Sequence, residues 1–192
     1  DREMSPKMAA HFDAVFLNEK LYQRVKTLYD KRAKLGLDAE AVHLLDRYNK
    51  DFVRAGAKLS AADKEKLKSL NGEIAVLQTN FTQNVLKETN ASALVVDTRA
   101  ELAGMSDAAI ETAAAAAKER GLEGKYVIAL LNTTGQPTLT QLENRALRER
   151  VYKASIGRGS HGGEFDNTGI VSQVLKLRAE RAKIMGYPNH AA

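Results

Sequence analysis

Histidine, serine and acidic side chains are the groups in this sequence that could perform catalysis or bind a metal. The four histidines are His11, His43, His161 and His190, and no two of them stand four residues apart. Two zinc-binding histidines share one helical face at that spacing. The sequence therefore predicts no locally built zinc site. The absence of cysteine also excludes disulfides, thiolate ligands and a cysteine nucleophile.

A glycine-rich polar segment, RGSHGGEFDN at 158–167, contains the remaining candidates: Arg158, Ser160, His161 and Glu164. Ser160 and His161 are neighbours in sequence, whereas the members of a catalytic triad converge from distant positions. The nucleophile elbow also follows a strand, but here a helical pattern precedes the segment. We therefore predict no serine catalysis.

The same glycines could cradle an anion, because the segment precedes a helix. However, no Gly-Lys-Ser/Thr follows it, and Glu164 and Asp166 would repel phosphate. The favoured interpretation is a turn between two helices that needs glycine conformations. The alternatives are a loop that contacts a peptide in a larger protein, and a nucleotide-binding loop. Nearby charged residues (Glu143, Arg145, Arg148, Glu149, Arg150, Lys153) are predicted to form surface ion pairs.

Apolar periodicity predicts the elements that position these residues. Repeats typical of helices cover 8–16, 21–29, 42–52, 67–85, 106–120, 140–155 and 167–185. Asp38 and Ser60 suit helix N-caps, and Ser60 with Asp63 resembles a capping box. Two short β-branched runs, 93–97 and 126–131, predict strands whose direct pairing the pattern leaves open. A turn is expected at 133–137.

These elements predict a mainly α protein, an antiparallel, bundle-like helical lobe with a small two-strand β element near the middle. We predict one helical unit over 1–192. It would comprise antiparallel helices in 1–90, a small αβ insert in 93–139 and a helical pair in 140–192. Pro188 and Asn189 indicate the start of a further, truncated helix, so we expect the chain to be a fragment.

Composition narrows the function classes. The 192 residues carry a net charge of +5 and have a pI near 9.3. Acidic and basic residues are interleaved, which indicates a solvated helical surface rather than a nucleic-acid site. No apolar run approaches the ~20 residues that span a membrane. We expect a cytoplasmic location, with the periplasm as the alternative.

Several segments, in order, carry a family resemblance: NEKLYQRV from Asn18, GLEGKYV from Gly121, NRALRERVYKA from Asn144, RG at Arg158, DN at Asp166, and LRAERAKIMGYPNHA from Leu177. Their order and spacing resemble those of the zinc metallopeptidases that include thimet oligopeptidase, neurolysin, oligopeptidase A and peptidyl-dipeptidase.

The resemblance implies a helical fold of two lobes flanking a narrow channel that admits short peptides. It also implies a zinc ion held by two histidines of HExxH and a later glutamate. HExxH does not occur in this sequence. We therefore expect part of the N-terminal lobe, without catalytic or metal-binding residues of its own. The zinc would be in the parent enzyme.

On this hypothesis the chain forms part of the channel wall, and Arg158, Ser160, His161 and Glu164 are the candidate channel residues. Its partners would be short peptides and the remaining catalytic lobe of the same polypeptide, with no nucleic acid or membrane. Endopeptidase and dipeptide-releasing activity both stay open. The alternative is a helical protein-interaction module without enzymatic activity, docking through the stripe at 67–85.

Overall fold

The computed structural model describes residues 2–131 and 136–192, so the turn expected at 133–137 lies mostly outside the described residues. The helices are α1 (Met4–Phe16), α2 (Glu19–Lys31), α3 (Ala39–Ala55), α4 (Ala61–Ala91), α5 (Asp107–Lys118), α6 (Thr138–Gln141), α7 (Arg145–Ile156) and α8 (Thr168–Ile184). Strands β1 (Leu94–Val96) and β2 (Tyr126–Ile128) flank α5, and 3₁₀ turns occupy Arg32–Lys34 and Arg99–Leu102. The predicted mainly α fold is confirmed.

Short polar side chains cap the helices where the sequence places them. The Asp38 carboxylate accepts from the Ala41 N–H at 2.7 Å, and the Ser60 hydroxyl accepts from the Asp63 N–H at 3.1 Å. That hydroxyl also donates to the Asp63 carboxylate at 2.8 Å, so the second bond joins the two side chains, whereas a capping box would bond the Asp63 carboxylate to the Ser60 backbone N–H. Each cap satisfies a backbone group that the first helical turn leaves unpaired.

The helix predicted over 140–155 is wrong in its first third. Helix α6 ends at Gln141, and α7 begins at Arg145 after an Asn144 cap whose side chain accepts from the Leu147 N–H at 3.1 Å. Between them the Glu143 N–H donates to the Ala103 carbonyl at 2.8 Å. This contact with a distant segment replaces the helical hydrogen bond, and the 3.6-residue pattern does not encode it.

Two compact units share the described chain: Asp1–Asn80 with Ile170–Ala192, and Phe81–Gly169. We call them unit 1 and unit 2. Helix α4 supplies residues to both, and so does α8. The single domain expected from the sequence stays a prediction.

The core of unit 1 is aromatic. The ring of Phe52 on α3 lies 5.2 Å from that of Phe16 and 5.9 Å from that of Tyr22. On the predicted stripe of α4, residues Leu67, Leu70 and Ile74 are also buried. On α1 the stripe is only partly used, since Met4, Met8 and Phe12 are 54%, 44% and 53% exposed.

The chain after α8 forms a turn that begins near Asn189. The Asn189 side chain accepts from the Ala191 N–H at 2.9 Å, and the Asn189 backbone carbonyl accepts from the Ala192 N–H at 3.4 Å. The side-chain bond is also the one that an asparagine makes at a helix N-cap, and the helix start predicted at Asn189 stays a prediction.

Unit 2 is built on the short sheet. Strands β1 and β2 pair antiparallel, with Val95 opposite Val127, which answers the question of pairing left open by the sequence. Helix α5 packs on β2. The sheet and its helices enclose the buried core Leu94, Val96, Leu102, Ile110, Ile128, Leu130, Leu142, Leu147 and Val151. This core supports α7 and the segment that follows it.

Candidate functional site

The glycine-rich loop, residues 157–167, joins α7 to α8 and lies in unit 2. Gly159, Gly162 and Gly163 have φ angles of +73°, +77° and +86°. Side chains with a Cβ rarely adopt this left-handed region. The structure therefore supports the interpretation of a helix–loop–helix turn that needs glycine conformations.

Gly157 serves a different purpose. Its φ is −85°, which any residue adopts. However, a Cβ at this position would lie 2.1 Å from Cε1 of the His161 ring. The glycine leaves the space in which that ring rests against the backbone at the end of α7.

A buried carboxylate holds the middle of the loop. Glu88, on α4, is 6% exposed and accepts a hydrogen bond from the Gly159 N–H. Such a charge-assisted bond is among the stronger hydrogen bonds in proteins. The His161 Nε2 lies 3.9 Å from the Glu88 Oε1, so a protonated imidazole would add an ion pair to the same carboxylate.

Two asparagines hold the C-terminal end of the loop. Asn167 is 3% exposed, and its N–H donates to the Gly159 carbonyl at 2.8 Å. Its side-chain amide donates to the Phe81 carbonyl at 3.2 Å and accepts from the Asn84 amide at 3.1 Å. Both ends of the Asn167 side chain are thereby satisfied, which makes burial of this polar group tolerable.

Asp166 organises the outer half of the loop. Its carboxylate accepts from the Gly162 N–H at 2.8 Å, the Thr168 N–H at 2.8 Å and the Thr168 hydroxyl. The Thr168 hydroxyl, the two backbone donors and the nearby His161 charge lower the pKa of Asp166, in that order of size. The carboxylate therefore remains ionised at neutral pH, where it closes the turn that starts α8.

The side chains of the four candidate channel residues point in different directions, one into the protein and three toward solvent. Arg158 is half-buried and donates to the Leu130 carbonyl at 3.0 Å and the Ser155 carbonyl at 3.2 Å, so it braces the loop from inside. The exposed Ser160 hydroxyl donates to the Gly157 carbonyl at 3.0 Å. His161 has 47% of its side chain exposed, and Glu164 is exposed. Ser160, His161 and Glu164 thus form the solvent-facing surface, and their predicted contact with a channel stays a prediction.

Glu88, Asn84 and Asn167 are the residues that sequence reasoning missed. A signal for Glu88 was present, since it follows Val85 by three residues and continues the apolar repeat of α4 with a carboxylate. A charged residue at a core position is buried only when it has partners. Those partners lie 71 or more residues away in sequence, so the pattern could not identify them.

The arginine cluster of α7 mostly binds backbone. Arg148 donates to the Leu142 and Glu143 carbonyls at 2.6 and 2.8 Å, and Arg150 donates to the Val95 carbonyl at 3.0 Å. The expected ion pairing holds for Lys153 and Glu149, which are 2.6 Å apart. These arginines thus secure the segment before α7 and the edge of β1.

The loop forms no hydrogen bond between its serine and its histidine side chains. The Ser160 hydroxyl donates to a backbone carbonyl rather than to His161. Over residues 2–131 and 136–192, no group of three or more His, Asp or Glu side chains is placed to hold a metal ion. The residues described here do not fit a zinc site.

Comparison with known proteins gives relatives over the whole chain. It is 41% identical over 192 residues, all of this chain, to dipeptidyl carboxypeptidase of Escherichia coli. It is 30% identical over 190 residues to oligopeptidase A of the same bacterium, and 32% identical over 177 residues to a probable cytosolic oligopeptidase A of Arabidopsis thaliana. These alignments cover 97% and 89% of this chain. No protein-family model matches it.

The chain spans 28% of the length of the two bacterial relatives and 25% of the plant relative. Among the residues that the structure describes, no helix combines the length and apolar character needed to cross a membrane.

Proposed function

The chain is homologous to one section of the peptidases that include dipeptidyl carboxypeptidase and oligopeptidase A, and we propose that it forms a non-catalytic part of the substrate-channel wall in such a peptidase. The alignment that carries the proposal runs through all 192 residues at 41% identity while covering 28% of the relative. A section of that size can shape a peptide site without containing the hydrolytic groups.

The proposed parent enzyme is a zinc peptidase. A bound zinc ion would polarise the attacking water and the scissile carbonyl. The zinc ligands would come from outside this chain, because its described histidines and carboxylates form no group of three or more that could hold a metal ion. Short peptides and the remaining catalytic lobe of the same polypeptide are the proposed partners. We propose the cytoplasm as the location, with the periplasm as the alternative.

The glycine-rich loop is the proposed contact with the peptide. Buried Glu88 and Asn167 fix the loop backbone through hydrogen bonds to Gly159, while Ser160, His161 and Glu164 face solvent. Hydrogen-bonding groups on a fixed backbone bind a flexible peptide with a smaller entropic cost than groups on a mobile loop. The loop would therefore restrict the length and register of peptides rather than act on their bonds.

A chimera tests the proposal directly. The section of E. coli dipeptidyl carboxypeptidase that aligns with this chain is replaced by the chain itself. We expect the chimera to hydrolyse short peptides, because the alignment covers all 192 residues of this chain at 41% identity. A folded chimera that binds zinc but cleaves no peptide would contradict the proposal.

Loop variants in the chimera test the channel residues. We expect Ser160→Ala and His161→Ala to raise KM with little change in kcat, since binding groups are removed and the reacting groups are not. The matched control is Ser172→Ala on α8, a serine outside the loop. Equal effects of all three variants on KM would mean that the loop does not contact the peptide.

The isolated chain is expected to cleave no quenched-fluorescent peptide, with or without zinc. Chelator-sensitive cleavage by the purified chain would overturn its non-catalytic role.

The second candidate function is a protein-interaction module without enzymatic activity. The exposed Met4, Met8 and Phe12 on one face of α1 favour it, because exposed apolar stripes mark contact surfaces. The predicted docking stripe at 67–85 favours it less, since Leu67, Leu70 and Ile74 are buried in unit 1. A chimera that hydrolyses short peptides would favour the channel-wall role over the interaction module.

A further inference from the structure

A groove of about 550 Å³ lies in unit 1, between the first turns of α2 and the chain that leads from α3 into α4. Its floor is apolar and consists of Leu17, Tyr22, Ala57 and Leu59, of which the first three are buried. Gly56 ends α3 with a φ of +105° and turns the chain so that the next residues line this floor. The volume falls within the roughly 300–1,000 Å³ typical of ligand sites.

The rim of the groove is predominantly basic. It contains four lysines, Lys26, Lys58, Lys64 and Lys68, and two glutamates, Glu19 and Glu65. These side chains alone carry a net charge of +2, from four positive and two negative groups.

Half of the rim lysines are already neutralised. Lys26 pairs with Asp30, and Lys68 lies 2.6 Å from Glu65. Within the described part of the chain, Lys58 and Lys64 have no ion pair, and Lys64 is half-buried. Two ammonium groups without an ion pair beside an apolar floor can pair with the carboxylates of a partner.

We propose that this groove binds an acidic peptide segment in which one apolar side chain is flanked by carboxylates. The apolar side chain would lie against Leu59, the floor residue that is not buried, and the flanking carboxylates would pair with Lys58 and Lys64. The inference concerns unit 1 only and is independent of the proposed peptidase function.

A nucleic acid fits the groove less well than an acidic peptide. The aromatic ring on its floor, Tyr22, is 3% exposed and offers no face for base stacking. Glu19 and Glu65 would also repel a phosphate backbone, whereas a peptide can place its carboxylates away from them.

Fluorescence anisotropy with the full chain and a labelled Asp-Glu-Leu-Glu-Asp peptide tests the proposal. We expect saturable binding that weakens with salt, and weaker binding of peptides with Lys-Lys-Leu-Lys-Lys or with alanine at the centre. The variant K58E/K64E should lower the affinity about tenfold or more. The control K34E/K176E makes the same change in net charge at exposed lysines outside the groove and should change the affinity less than about twofold. Circular dichroism of each variant confirms folding.

Three results of the binding measurements would overturn the proposal. They are equal losses in K58E/K64E and K34E/K176E, the absence of saturable binding of the acidic peptide, and tighter binding of a single-stranded oligonucleotide of similar length. Concentration-dependent dimers that disappear in K58E/K64E would assign the groove to a second copy of the chain and would overturn it as well.

Discussion

The buried carboxylate of Glu88, on α4, accepts a hydrogen bond from the backbone N–H of Gly159, which lies 71 residues later in the glycine-rich loop. This contact joins a helix and a loop that are separate in sequence. It also makes the conformation of the loop depend on a side chain that the loop does not contain.

Glu88→Ala should lower the free energy of unfolding by about 1–3 kcal/mol, because it leaves the Gly159 N–H without its acceptor. Urea unfolding followed by circular dichroism measures the loss. The control Glu164→Ala removes an exposed glutamate of the same loop and should stay within about 0.5 kcal/mol of the parent. Equal stability of the two variants would mean that Glu88 does not hold the loop.

Gly104→Ala should destabilise the protein much more than Gly124→Ala. Both glycines have positive φ, +91° and +81°, so both variants carry the left-handed strain of about 1–3 kcal/mol. Only at Gly104 would the new Cβ lie 2.1 Å from the Gln141 carbonyl oxygen, a backbone atom that cannot move aside cheaply. Thermal unfolding of the two variants compares them, and similar losses would refute the close approach.

Asp166 should stabilise the protein at neutral pH and lose this effect in acid. Its hydrogen bonds from Thr168 and Gly162 hold the folded-state pKa below the ordinary value of 3.8. The stabilisation is therefore present above pH 3.8 and disappears as the pH falls through the lower, folded-state pKa. The difference in unfolding free energy between the parent and Asp166→Asn should shrink as the pH is lowered over this range. A difference that is independent of pH would contradict the assignment.

Gly157→Ala should displace the His161 ring, because the new Cβ would lie only 2.1 Å from Cε1 of that ring. The ring is about half exposed and can rotate outward, so we expect a changed His161 ring signal in NMR with a small loss of stability. A double-mutant cycle with His161→Ala isolates the contact, since the cost of Gly157→Ala should vanish once the ring is gone. If Gly157→Ala costs the same stability in the His161→Ala background, the new Cβ does not clash with the His161 ring.

Much of the local structure follows from short-range chemistry. Asp38 and Ser60 each cap a helix at the predicted position, because an N-cap needs only its own side chain and a backbone donor three residues later. The strands at 93–97 and 126–131 are likewise found, although their pairing needed the structure. The family resemblance carried by the six ordered segments is confirmed by the relatives.

Long-range contacts account for what the sequence pattern missed. The break before Asn144 depends on the bond from Glu143 to Ala103, and the exposure of Met8 and Phe12 depends on what packs against α1. The glycines of the loop could be recognised in the sequence, but the carboxylate that anchors them could not.

The helical class, most helix starts and the kinship with peptidases could be predicted from the sequence, since they depend on periodicity, caps and ordered motifs along the chain. The folded chain was needed to learn that Arg158 braces the loop while His161 faces solvent, and that Glu88 accepts a hydrogen bond from Gly159. The reason is physical: the direction and burial of a side chain depend on segments that folding brings together from distant positions.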